Sequence, residues 1–366
     1  MPSIEEQIKE IEEEIHKTQY NKATQHHIGK LKAKIARLKE QAEKRKGGST
    51  GKSYDIKRSG NASISLVGFP SVGKSTILNR LTGADSEVGA YSFTTLDVVP
   101  GMMNYRGAEI QILDLPGLIE GAASGKGRGR EVLSAVRSSD LILLVLDVFN
   151  TNIDVILREL HKANIRVDKK PPRVSINKTD RGGIIINKMV PQSNVDDTMI
   201  KDVSREFGII NAEYTLWEDL EDIDRFIDAI TSNRTYIPSA LVINKIDLVD
   251  EIQLDKIRSN FNHLNPVYIS AEKNIDIENL KEYVFKRLDF IRIYLKPQGM
   301  EADMEEPLVM KAGTTVREVC HHLHRDFVDR FRYAMVWGKS AKFGGQRVGL
   351  QHVLMDEDVV TIIVRR

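Results

Sequence analysis

Cysteine is nearly absent: Cys320 is the only one in 366 residues. A lone thiol excludes an intrachain disulfide and any zinc site built from cysteines, and it fits a reducing compartment, here expected to be cytoplasmic. A surplus of one charge is missing too. Lys+Arg 53 against Asp+Glu 52 leaves a formal net charge of +1, which excludes a global attraction to nucleic acid but not a local basic patch. Long apolar runs are also lacking. The longest, around Leu141–Leu146, stops at Asp147, far short of the ~20 residues of a membrane span. The chain opens on acidic helix formers instead of an apolar leader core. Neither a membrane nor DNA is expected as a partner, and a monomer is expected. What is present suits a soluble chain able to bury cores, 41% hydrophobic and 29% charged, over a length that calls for about two to four domains.

Ile4, Ile8, Ile11 and Ile15 recur at helical spacing, as do Ile28, Leu31, Ile35, Leu38 and Ala42. The break at 18–24 predicts a helical hairpin, with a continuous coiled coil as the rival. Lys30, Lys32, Lys34, Arg37, Lys39, Lys44, Arg45 and Lys46 crowd the second helix. They read either as a solvated face or as a surface for RNA phosphates. A Gly/Ser-rich linker follows. From Ser63 the pattern turns α/β. Strands at Ser63–Val67, Ile110–Leu115, Leu141–Asp147 and Ala240–Asn244 alternate with helices at Lys74 to Leu81 and Thr151–Ala163, the signature of a doubly wound sheet. Residues 167–235 exceed such a core. They predict a β-hairpin, Arg173–Asn177 with Gly182–Val190, and helices near Asp196–Phe207 and Glu218–Thr231. After Arg292 a small β-rich module is expected, with strands at Leu308–Met310, Tyr333–Trp337 and Val359–Val364 and one helix from Thr315 to Phe327.

Gly68-Phe-Pro-Ser-Val-Gly73-Lys74-Ser75 satisfies G-x-x-x-x-G-K-[ST] between a strand and a helix. Glycines let consecutive N–H groups turn toward phosphate oxygens, and the helix N-terminus adds positive potential. Lys74 would reach the outer phosphates and Ser75 would ligate Mg²⁺. Asp114-Leu-Pro-Gly117 follows about forty residues later at a strand end, where the aspartate supports the metal and the Gly117 amide senses the terminal phosphate. Asn244-Lys245-Ile-Asp247 ends a further strand. Asp247 can accept from guanine N1–H and the exocyclic amine, which adenine does not offer. Lys245 would lie along the base, Asn244 would tie the loops together, and Ser270-Ala271 would offer an N–H to guanine O6. Asn177-Lys178-Thr-Asp180 also fits N-K-x-D, but it lacks a following Ser-Ala and runs into a Gly-Gly turn. Between the first two motifs, Tyr91-Ser-Phe-Thr94-Thr95-Leu offers two threonines to close over the γ-phosphate, and spacing does not choose between them. Five glycines among basic residues in Gly117–Arg130 read as a mobile switch or as a solvent loop. The clusters His26, His27 and His321, His322, His324 lack neighbours in sequence at metal spacing and read as solvated helix positions. Cys320 reads as a small buried residue.

Together these strings resemble the DRG (developmentally regulated GTP-binding) family of Obg-superfamily GTPases. Tyr91-Ser-Phe-Thr-Thr-Leu96, Asp114-Leu-Pro-Gly-Leu-Ile-Glu-Gly-Ala122, Gly125-Lys-Gly-Arg-Gly-Arg130, Asn21-Lys-Ala-Thr24 and Tyr333-Ala-Met-Val-Trp-Gly338 extend the likeness over the whole chain. The resemblance implies an α/β P-loop GTPase core with three additions: an N-terminal helical hairpin, an inserted small α/β domain, and a C-terminal TGS module of β-grasp type. The expected boundaries are 1–46 hairpin, 47–62 linker, 63–166 and 235–291 GTPase domain, 167–234 insertion and 292–366 TGS. The resemblance also makes the second threonine the metal ligand, so Ser75, Thr95 and Asp114 would hold Mg²⁺, with Lys74, Thr95 and Gly117 as catalytic residues. GTP or GDP would contact Gly68, Pro70, Ser71, Val72, Gly73, Lys74, Ser75 and Thr76. Further contacts would come from Phe93, Thr94, Thr95, Asp114, Gly117, Asn244, Lys245, Asp247, Ser270, Ala271 and Glu272. It implies GTP hydrolysis linked to the ribosome, rRNA and translation, with a dedicated protein partner in its eukaryotic members. Two departures qualify this. Leu118 stands where Ras-like enzymes place the water-orienting glutamine, so unaided turnover should be slow. Ser71 stands where many potassium-activated relatives have asparagine, so K⁺ is admitted as a cofactor without support from that residue. The competing readings are an RNA- or ribosome-binding scaffold with a structural nucleotide site, and an ATPase, which Asp247 opposes.

Overall fold

A computed structural model describes residues 3–19, 21, 24–46, 59–83, 99–115 and 129–365. The chain divides into two compact units, 54–168 with 237–366, and 1–53 with 169–236. Expected features on 91–95 and 116–128, and most of the linker, lie outside the described residues.

The first unit holds a six-stranded sheet in the order Val267–Tyr268, Ser239–Asn244, Leu141–Asp147, Ala62–Gly68, Ala108–Asp114, Val99–Tyr105. All neighbours run parallel except the last pair. Ala62–Gly68 and Leu141–Asp147 are buried on both faces, as expected of strands covered by helices on either side. One face packs Ile64, Leu66 and Ile110 on Ile77 and Leu280; the other packs Val67 and Leu113 on Val136 and Leu160. Parallel strands place all their C-terminal ends along one edge, which is where an open α/β sheet binds ligands. The antiparallel edge strand Val99–Tyr105 escaped the sequence reading because Pro100, Gly101 and Asn104 weaken its strand pattern. At Gly101 a Cβ would stand 2.5 Å from a Thr82 methyl, so the strand needs glycine where helix Lys74–Thr82 crosses it.

The C-terminal module is a five-stranded sheet, Leu308–Lys311, Phe290–Leu295, Asp358–Val364, Phe331–Trp337, Gln346–Val348, with helix Val316–Leu323 over one face. The helix expected to run to Phe327 stops at Leu323. His324 takes an extended conformation, and a separate turn follows at Asp326–Asp329. Cys320 is fully buried on the inner face of this helix, and burial pushes its thiol up to about 11.

The second unit explains two surprises. The expected hairpin does not form. Val174–Lys178 and Ile184–Lys188 both pair with a third strand, Ala212–Leu216, which lies between them, antiparallel to the first and parallel to the second. That central strand is short and alternating, AEYTL, a weak signal beside Ile184-Ile-Ile. The helix expected from Glu218 begins instead at Ile223, where Asp222 accepts from the Arg225 N–H as N-cap.

The N-terminal helices Ile4–Lys17 and Gln25–Lys46 are separate, so the hairpin reading holds over the coiled coil. Ser3 and Glu6 form a reciprocal capping box at the start. Ile28 and Leu31 are buried as the apolar stripe requires, but Ala33 and Ala36 are buried too, in a core with Met199, Val203 and Ile223. A Cβ added at Gly29 would touch Met199 and Ile223 at 3.7 Å. Gly29, Ala33 and Ala36 therefore form a second, small-residue face that seats the helix on Asp197–Glu206 and Ile223–Thr231. Lys30 pairs with Asp202 at 3.1 Å and Lys32 with Asp224 at 2.6 Å, so part of the basic run is spent within the fold. His26 and His27 likewise meet carboxylates that sequence spacing could not reveal, Asp196 and Glu14, each at 2.9 Å. Ala33→Leu should overpack this seat and lower stability by about 1–3 kcal/mol. Thermal unfolding checks this; an unchanged midpoint would contradict the packing.

Candidate nucleotide-binding site

Strand Ala62–Gly68 leads straight into the phosphate loop. At its last residue a Cβ would lie 2.2 Å from the Val145 carbonyl oxygen, so only glycine lets the two strands stay in register there. The loop closes on Gly73, whose φ of 94° caps helix Lys74–Thr82 without a side-chain hydrogen bond. The first-turn amides are thereby left to an anion. Lys74 folds over the loop and donates to the carbonyl oxygens of Phe69 at 2.9 Å and Gly68 at 3.3 Å. Its ammonium is mostly buried. Burial lowers its pKa below that of an ordinary lysine, and the Asp114 carboxylate offsets part of that shift. A positive charge held out of water beside a helix N-terminus is suited to a polyphosphate.

Next to it the Ser75 hydroxyl donates to Asp114 Oδ2 at 2.5 Å. Asp114 ends the strand beside the loop and is 9% exposed. The two oxygens converge from different elements, a hard donor pair of the kind Mg²⁺ selects. Thr95, Thr94, Phe93 and Gly117 lie outside the described residues, as does Leu118.

Asn244 spans two loops, one of them the phosphate loop. Its Nδ2 donates to the Val72 carbonyl at 2.9 Å and its Oδ1 accepts from the Ala271 N–H at 3.0 Å. One buried amide thus joins the phosphate loop to the Ser270-Ala271 turn. Ser270 Oγ accepts from the Lys273 N–H at 3.0 Å and shapes that turn. Lys245 sits at φ 66° and donates to the Ser71 carbonyl at 2.7 Å. Asp247, in the turn Ile246–Leu248, is exposed, and among the described residues its carboxylate has no partner. Pro70 and Ser71 are exposed at the loop's crest, Thr76 is half-buried, Val72 anchors the loop in the core and Glu272 is exposed beyond the turn. The second N-K-x-D string belongs to the other unit. Asn177 and Lys178 pair with Glu213 and Ala212 in the sheet of the other unit.

Two participants went unnoticed in the sequence. Arg80, in the last turn of its helix, donates to the carbonyls of Ala271 at 2.8 Å and Glu272 at 3.0 Å and holds the Ser270-Ala271 turn in place. Nothing in its spacing could have marked it. Asp147 lies 2.6 Å from the Lys245 ammonium; its signal was an acidic residue ending a fully apolar strand.

The profile described as 50S ribosome-binding GTPase matches residues 63–178, one for the C-terminal region of that domain matches 181–290, and the TGS domain matches 291–364. An uncharacterized GTP-binding protein of Methanocaldococcus jannaschii is 54% identical over 366 residues, covering 99% of this chain and 93% of that protein. Developmentally-regulated G-protein 3 of Arabidopsis thaliana is 45% identical, covering 99% of each chain. The developmentally-regulated GTP-binding protein 1 homolog of Dictyostelium discoideum is 42% identical, also covering 99% of each. Among solved structures, the YchF GTPase of Schizosaccharomyces pombe overlaps at 15% identity and a TM-score of 0.46, over 84% of this chain and 99% of that one, too loosely to transfer anything. With full-length identity at this level, three domain matches and a phosphate loop tied through Asn244 to the Ser270-Ala271 turn, the chain is a GTP-binding protein of the P-loop GTPase class and belongs to the developmentally regulated GTP-binding protein family.

Proposed function

We propose that this chain hydrolyses GTP to GDP and phosphate with Mg²⁺ and serves as a ribosome-associated switch. The observation that carries the reading is the convergence of Lys74, Ser75 and Asp114 at a loop that Asn244 ties, through the Val72 carbonyl, to the Ser270-Ala271 turn. Ser75 and Asp114 would hold the ion together with Thr95, and Mg²⁺ bound there would supply positive charge against that of the phosphates. The loop amides and Lys74 bind and orient the phosphates. Asp247 and Lys245 select guanine, and the Ala271 turn presents its backbone to the base. Leu118 has no group able to orient water, so a partner or a backbone group must do so. Help supplied in trans is worth roughly 10³–10⁵ in rate.

Ribosome or rRNA contact is supported by the description of the matched GTPase profile. Because Lys30 and Lys32 already face Asp202 and Asp224, contact through the second helix would fall to its exposed Lys34 and Arg37. The decisive experiment measures GDP, GTP and ATP binding with and without chelator, then single-turnover hydrolysis in KCl and in NaCl, alone and with ribosomes. Guanine selectivity, Mg²⁺-dependent slow turnover and acceleration by ribosomes are expected. Equal affinity for ATP and GTP, or turnover indifferent to Mg²⁺, would sink the proposal.

A further inference from the structure

Strand Leu141–Asp147 ends on a buried aspartate that has no place among the phosphate, metal or guanine contacts above. Its side chain is 8% exposed. Oδ1 accepts from the backbone N–H of Phe149 at 3.1 Å and of Asn150 at 2.8 Å, and the Asn150 N–H also donates to the Asp147 carbonyl at 3.2 Å. The carboxylate is therefore fixed by its own turn, with one oxygen committed to backbone. The other oxygen, Oδ2, faces the Lys245 ammonium at 2.6 Å, and that ammonium reaches on to the Ser71 carbonyl at 2.7 Å. Three strand ends meet in this contact: the phosphate loop after Gly68, the end of Leu141–Asp147, and the residue after Ser239–Asn244. Both Ser71 and Lys245 hold left-handed backbone, at φ 63° and 66°, conformations that a side chain tolerates only when its surroundings hold it there.

We propose that Asp147 is a positioning residue for guanine-nucleotide binding: anchored by the amides of its own turn, it pins the Lys245 ammonium against the phosphate loop. The methylene stem of the lysine is then laid out for the base face before the nucleotide arrives. This rests on reading Lys245 as a base contact. A long, flexible lysine free in solvent would surrender its rotamer freedom on binding, whereas one already held by two oxygens does not. An amide in place of the carboxylate keeps the oxygen that caps the turn. It sets an NH₂ donor, or an uncharged oxygen, against the ammonium, so the charge-assisted bond is lost with little change of shape.

The test is a double-mutant cycle on the full chain, reading the Kd of a fluorescent GDP analogue together with the unfolding midpoint. Asp147→Asn should raise Kd about tenfold in the native background and by less than about twofold once Lys245→Ala is present. Equal fold losses in both backgrounds would show a merely structural aspartate and overturn the proposal, as would an unchanged Kd in Asp147→Asn beside an impaired Lys245→Ala. A Lys245→Ala protein that binds GDP like the native chain would remove the base contact itself and the proposal with it, a separate and recognisable failure. Should Asp147→Asn not fold, Asp147→Ser keeps an oxygen for the turn amides and lacks the second; the same two Kd ratios then decide.

Discussion

Asp247→Asn should convert a guanine site into a xanthine site. The carboxylate is exposed, with no partner among the described residues, so its acceptor oxygens remain available to a base that carries two adjacent N–H donors. Guanine has them at N1 and at the exocyclic amine. Asparagine keeps one acceptor and replaces the other with a donor, which then faces the guanine amine donor to donor. Charge-assisted hydrogen bonds are worth roughly 1.5–3 kcal/mol each, so losing one outright and the charge on the other should weaken GDP binding by roughly 10²-fold or more. Xanthine carries a carbonyl where guanine has the amine, and the new NH₂ group matches it. Competition between GDP and XDP for the variant checks this. Retained preference for GDP would remove Asp247 from the recognition scheme, whereas weak binding of both would point to a collapsed loop instead of an exchanged contact. Lys245 and Asn244 should keep their places, because their partners are backbone groups of Ser71, Val72 and Ala271, together with Asp147.

The second large effect is expected from a single methyl group. Gly73→Ala would place a Cβ 2.4 Å from Asn244 Nδ2 at a residue held at φ 94°. The backbone cost alone is about 1–3 kcal/mol, and the contact pushes away the amide that joins Val72 to Ala271. Both halves of the site would lose their connection at once, so nucleotide affinity should fall roughly 10²-fold or more. Gly29→Ala is the matched control, since its new Cβ would meet only ordinary contacts at 3.7 Å in the other unit. Isothermal titration with GDP distinguishes them. Native-like binding by Gly73→Ala would mean that the loop and Asn244 are not packed as described.

The phosphate loop, Asp114 and Asn244 were legible in the sequence because each is a local string at the end of an apolar strand, and the backbone chemistry of those strings leaves little freedom. Asp147 and Arg80 were not: parallel pairing sets Asn244 opposite Asp147, Arg80 reaches carbonyls 191 and 192 residues away, and no spacing along the chain encodes such neighbours. The same reason explains the insertion. Val174–Lys178 and Ile184–Lys188 look like a hairpin locally, since a glycine turn separates them. The choice of Ala212–Leu216 as common partner is a tertiary preference that local turn chemistry cannot express. The second helix shows a third kind of miss. Its leucine and isoleucine stripe was visible, whereas Gly29, Ala33 and Ala36 carry almost no apolar signal and matter only because a neighbour comes close.

The seat for that second helix has a consequence in time. Lys32 and Asp224 are 192 residues apart, and Ala33 and Ala36 share their core with residues between Val195 and Ile227. A chain emerging from the ribosome therefore exposes this face of the helix Gln25–Lys46 until residues 195–227 have followed it. Its three-stranded sheet must likewise wait for Ala212–Leu216 before either of the earlier strands gains a partner. Closing contacts of such long sequence separation is slow. That second helix, once made, thus waits for partners that lie far downstream in the chain, and it is among the later parts of its unit to settle.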